Sequence, residues 1–212
     1  MKLDQSECKK LTRKYGIPTA KEFLAKKPEQ AIEFAKKIGY PVVMKIDSED
    51  VVHKTETKTV VTNIKNKEEV LEAFEKIIRN AKKHKPKAKI RGVIVQEHVE
   101  GYETIVGGKI DPQFGPIILF GAGGIFTEVL KDVAIRICPI EKEDAEEMVG
   151  EVRYSKILKG FRGEPPVKIN EITDILLRAS KIMMKEKVKE MDINPLIVSH
   201  KGAKAVDVRI IK

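Results

Sequence analysis

The sequence predicts an α+β fold in two lobes, and three observations carry that prediction. Amphipathic stretches with helix start and stop residues alternate with apolar runs too short for helices. Strand-like segments follow one another from about residue 99, and the chain closes on "NPLIVSHKGAKAVDVRII", a hairpin turning at "HKG". With 212 residues and 42% hydrophobic content, the chain can bury a core in each lobe, divided as residues 1–98 and 99–212.

"SECKKLTRKYGI" predicts a short helix with Ser6 as its cap and Gly16 as its stop. "KPEQAIEFAKKIGY" repeats that grammar between Pro28 and Gly39, after which "PVVMKI" reads as a buried strand. "VVTNI" is a second strand. "KEEVLEAFEKIIRNAKKH" is a long helix with Val70, Leu71, Phe74, Ile77 and Ile78 on one face, and "RGVIVQEHV" is the next strand. In the second lobe "YETIVGGKI" and "FGPIILF" read as strands. "GIFTEVLKDVAIRICPI" reads as a hairpin turning near Lys131 and Asp132, with Glu128 facing Arg136, and "EITDILLRASKIMMKE" reads as a helix.

Composition excludes several classes. No run reaches the ~18–20 apolar residues of a membrane span, and the charged "MKLDQSECKKL" is unlike a signal peptide, so the expected compartment is the cytoplasm. Cys8 and Cys138 have neither disulfide nor metal spacing. The net charge of +9 is spread among glutamates along helices rather than gathered beside aromatic residues, which argues against nucleic acid. Richness in Lys and Glu is also a mark of proteins from hot environments.

Several residues stand out chemically. In the final hairpin Asn194 and Asp207 fall opposite each other, with Asp192 two residues upstream. A sparse set of oxygen ligands suits Mg²⁺, while Asx turns and a lysine partner for Asp207 explain the same residues structurally. Lys45 lies among apolar neighbours where a buried ammonium needs an anion, unless it alternates to a solvated face. His53 sits with Lys54 and Thr55 in a polar connection, where a neutral imidazole can attack a phosphoryl group or simply meet solvent. His84 and His200 read as solvated, and His98 as a hinge or packed residue. "FGAGG" offers amides to an anion but lacks the ending of a P-loop; a tight turn explains it equally well.

"YGIP", "GYPVVMKI", "HKTE", "GVIVQE", "DPQFGPIILFGAGGIFTEVLKDVAIR", "LKGFRGEPP", "DINPLIV" and "AVDVRI", in this order over residues 15 to 210, resemble the β subunit of ADP-forming acyl-CoA synthetases. These are relatives of succinyl-CoA synthetase with an ATP-grasp fold. The resemblance implies two lobes holding ATP or ADP between them, with Mg²⁺. It implies that Lys45 contacts nucleotide phosphates, with Lys54 and Thr55 nearby, that the hinge of Gln96, Glu97, His98 and Val99 reads adenine through its backbone, and that Glu103 lies near the ribose. Asn194 and Asp207 match the magnesium ligands, and Asp192 an acid near the phosphohistidine. His53 matches a histidine that takes a phosphoryl group relayed from a CoA-binding α subunit, in an α2β2 assembly, and passes it to ADP. One departure stands out: the family usually has two glycines where this chain has Lys58 and Thr59. Glycine permits φ > 0 or close approach of a phosphate. The departure keeps open a regulatory nucleotide-binding paralogue.

Overall fold

The computed structural model describes residues 1–48, 50–51, 57–124 and 132–212. The chain forms two compact units, one of residues 20–98 and one of residues 1–19 with 99–212.

Helix α1 (Gln5–Lys14) begins at Asp4 rather than at Ser6. Asp4 Oδ1 accepts from Glu7 N at 2.8 Å and Glu7 Oε2 accepts from Asp4 N at 2.9 Å, a reciprocal cap that outcompetes a lone serine hydroxyl. The helix was expected with the first lobe, and the structure corrects this. Cys8 and Leu11 join the core of the unit containing residues 99–212, and Leu3 N donates to Ile210 O at 3.0 Å. Glu186 accepts from Lys14 Nζ at 2.7 Å and Tyr15 Oη at 2.9 Å, and those two bonds hold its carboxyl down to about 2. No sequence period reports such a contact, because its partners are more than 170 residues apart.

The unit of residues 20–98 contains β1 (Glu22–Ala25), α2 (Pro28–Ile38), β2 (Val42–Ser48), β3 (Val60–Ile64), α3 (Lys67–His84) and β4 (Ile90–Glu97). Pro28 opens α2 and Gly39, at φ 95°, closes it. The strands form an antiparallel sheet in the order β1-β4-β2-β3. Val42, Met44 and Ile46 of β2 and Val93 and Val95 of β4 pack with Val70, Phe74 and Ile77 of α3 in one core. The two-residue period therefore turns Val43, Lys45 and Asp47, with Ile94 and Gln96, to the opposite face.

The other unit adds β5 (Tyr102–Asp111), β6 (Gly115–Ala122), β7 (Val133–Ile137), α4 (Lys142–Glu151), α5 (Ser155–Leu158), α6 (Ile169–Lys185), β8 (Glu190–Ser199), β9 (Gly202–Ala205) and β10 (Val208–Ile211). Its sheet runs β10-β8-β5-β6-β7, with β9 on the second half of β8. Helix α6 buries Ile172, Ile175, Leu176, Ile182 and Met183, each worth about 1.5–3 kcal/mol of transfer free energy. The expected hairpin near Lys131 lies partly outside the described residues, as does Glu128. Its second half is β7, which pairs with β6. Arg136 bonds to Glu151 at 2.9 Å and Glu147 at 3.4 Å on α4. That helix and β1 were not expected from the sequence, although Ala145, Met148 and Val149 carry helical spacing. Both cysteines are buried and unpaired by disulfide, and burial pushes their thiols up, away from reactivity. No helix among the described residues is long and apolar enough to cross a membrane.

Candidate functional site

Lys45 is buried, 5% exposed, which removes the solvated alternative. It pairs with Ile94 on β4 and Val60 on β3. On the same face Gln96, 1% exposed, donates through Nε2 to Glu22 Oε2 at 2.7 Å. Register makes this a mixed polar group on one sheet face: Lys45 stands diagonal to Gln96, and Gln96 stands opposite Glu22. Glu22 leaves no signal in the sequence because it lies 74 residues from its partner.

The expected hinge divides into engaged and released parts. Gln96 and Glu97 lie in the ladder of β4, and Glu97 N donates to Lys21 O at 2.8 Å while its carboxylate accepts from Lys21 N at 3.1 Å. The chain leaves the ladder at His98 and Val99, which are half-buried and mark the change from one unit to the other.

His53, Lys54 and Thr55 lie outside the described residues. Their described neighbours are firmly held. Upstream, Val51 is buried, and Asp50 accepts from Lys85 Nζ and from Lys89 N, each at 2.7 Å, so its carboxyl titrates below the usual range. Downstream, Lys58 adopts φ 53° and its carbonyl accepts from Asn80 Nδ2 at 2.8 Å, while Thr59 is fully buried with its carbonyl bonded to Ile46 N at 3.0 Å. The left-handed turn expected of glycine is thus kept by a lysine. A left-handed lysine costs roughly 1–2 kcal/mol, and glycine's extra freedom in the unfolded chain costs about 0.5–1 kcal/mol, so the two nearly offset. Lys58→Gly is therefore expected to change unfolding free energy by less than about 1 kcal/mol, read from denaturant titration, and a larger loss would show that the lysine side chain itself holds the turn.

In the second unit, the hairpin keeps the register expected from its turn. Val208 pairs with Ile193 and Ala205 with Leu196, and between them Asn194 N donates to Asp207 O at 3.1 Å. Asp207 Oδ1 accepts from Val208 N at 3.0 Å and from Gln5 Nε2 of α1 at 2.9 Å. Asp192 is half-buried, and burial, then the nearby Asp207 charge, push its carboxyl up. The Asp192 and Asp207 carboxylates interact electrostatically, Asn194 is exposed, and register sets Asn194 against Asp207, so all three offer oxygen donors at neighbouring strand positions. Gln5 Oε1 is buried without a hydrogen-bond partner among the described residues. Hard oxygen donors with excess negative charge fit Mg²⁺, whose remaining positions go to water and phosphate.

Glu103 is exposed on β5, and its carbonyl accepts from Gly123 N at 2.8 Å. A Cβ on Gly123 would stand 2.7 Å from the Glu103 carbonyl carbon, and one on Gly121 would stand 2.7 Å from Asp132 O. Close backbone approach accounts for these glycines of "FGAGG" without an anion.

These features belong to a known class. The chain matches the ATP-grasp domain family over residues 1–211. It is 46% identical over 211 residues to the β subunit of ADP-forming acetate–CoA ligase I of Pyrococcus furiosus, covering 99% of this chain and 91% of that one. Among solved structures it resembles acetyl-coenzyme A synthetase 1 of Candidatus Korarchaeum cryptofilum in complex with coenzyme A and Ca-AMPCP. That match has a TM-score of 0.94 and 46% identity, covering 99% of this chain and 93% of that chain. A second structure of that synthetase, with coenzyme A and Mg-AMPPCP and its phosphohistidine segment pointing towards the nucleotide site, gives a TM-score of 0.86 at 42% identity, covering 99% and 92%. The chain belongs to the ATP-grasp family and, within it, to the β subunits of the ADP-forming acetate–CoA ligases.

Proposed function

We propose that this chain moves a phosphoryl group between a phosphohistidine and ADP, within the reaction acyl-CoA + ADP + phosphate giving acid + CoA + ATP. The observation that supports it most is the in-register Asn194–Asp207 pair with Asp192 beside it. The CoA site and a first histidine belong, in this reading, to an α subunit in an α2β2 assembly, and a cytoplasmic location suits the soluble substrates. His53 takes the phosphoryl group on a ring nitrogen. The P–N bond then breaks as a β-phosphate oxygen of ADP forms the new P–O bond, leaving neutral imidazole and ATP. Lys45 neutralises phosphate charge, Lys54 and Thr55 steady the phosphoryl group, Asp192 sits near the phosphohistidine, and Glu103 and the backbone from Gln96 to Val99 hold the nucleoside. When bound at Asn194 and Asp207, Mg²⁺ supplies further neutralisation of the phosphates.

The test is acid-labile, base-stable label after incubation with Mg²⁺ and γ-labelled ATP, with the α subunit present. Label on the natural chain that is absent from His53→Asn is the expected result. Label that persists in the variant overturns the role of His53. Absence of label from both, with nucleotide still bound, would favour a regulatory subunit.

A further inference from the structure

Helix α1 was expected in the other lobe, yet it delivers a side chain to the hairpin proposed to hold the cation. Gln5 Nε2 donates to Asp207 Oδ1 across 202 residues of sequence, at 2.9 Å. Val208 N donates to the same oxygen at 3.0 Å. Two donors on one oxygen fix the plane of the carboxylate, a constraint that an isolated hairpin carboxylate lacks. The amide orientation follows as well, because turning Gln5 over would set its carbonyl oxygen against a carboxylate oxygen. In this orientation Oε1 is buried and without a hydrogen-bond partner among the described residues. A buried unpaired acceptor costs free energy, so the bond from Nε2 to Asp207 is kept at the expense of Oε1.

Resting on the magnesium-site reading above, we propose that Gln5 is an outer-sphere positioning residue for the divalent cation. Its Nε2 holds the Asp207 carboxylate in one plane, with the second carboxylate oxygen left to face the cation. Outer partners of metal ligands set carboxylate orientation and thereby affinity.

Mn²⁺ titration in the presence of ADP, followed by the loss of free-ion EPR signal, tests this without turnover. Gln5→Leu removes both polar atoms and is expected to weaken Mn²⁺ binding roughly 10–100-fold. The thermal midpoint without metal should change little, since removal of the unpaired buried oxygen offsets the lost bond to Asp207. Asp207→Asn and Asn194→Ala run alongside. If they weaken Mn²⁺ binding and Gln5→Leu does not, the role of Gln5 is overturned and the metal site stands. A midpoint drop for Gln5→Leu with unchanged Mn²⁺ affinity likewise leaves it merely structural. If neither hairpin variant weakens binding, the metal-site reading and this inference fall together.

Discussion

Lys45→Met is expected to lower the rate of ATP formation by roughly two to three orders of magnitude, the usual effect of removing a preorganised charge-stabilising group. The side chain is 5% exposed on a sheet face that also carries Gln96 and Glu22. A buried ammonium is costly to desolvate and contributes most when negative charge meets it. Methionine keeps the length and the packing, so the chain should remain folded, with a midpoint shift of only a few degrees. The loss should fall on kcat and on nucleotide affinity together. Full activity in Lys45→Met would remove the residue from the site, and unfolding of the variant would make it a structural lysine.

Gly123→Ala is expected to destabilise the unit containing residues 99–212 by about 3 kcal/mol, at the upper end of overpacking costs. Its Cβ would lie 2.7 Å from the Glu103 carbonyl carbon and 2.9 Å from the carbonyl oxygen. Those atoms are backbone, so relief requires β5 to shift or the 2.8 Å bond from Gly123 N to Glu103 O to break. For a chain of 212 residues, that energy corresponds to a fall in thermal midpoint of roughly 6–12 °C. Gly150→Ala is the internal control, because its Cβ meets nothing within 4 Å. Equal stability of the two variants would show that the strands yield more readily than their packing implies.

Local grammar carries much of the fold. Pro28 and Gly39 bracket α2 as residues with fixed and permissive backbones do. The apolar spacing of Val70, Phe74 and Ile77 marks the buried face of α3, and counting outward from the turn at "HKG" sets Asn194 against Asp207. All three are short-range consequences of helix period, strand period and turn position. The cap of α1 shows the limit. Ser6 and Asp4 are both good cap residues, and the reciprocal bond to Glu7 selects Asp4.

What the sequence determined by itself is most of the elements, the ATP-grasp resemblance and the candidate residues Lys45, His53, Asp192, Asn194 and Asp207, because periodicity, turn chemistry and ordered motifs are written along the chain. The tertiary structure alone decided that α1 joins the unit of residues 99–212, that Gln5 reaches Asp207, that Lys45 is buried, and that Lys58 keeps a left-handed turn held by Asn80. Each of these depends on side chains or backbone groups brought together from distant positions, or on burial that neighbouring elements impose, and neither leaves a local period to read.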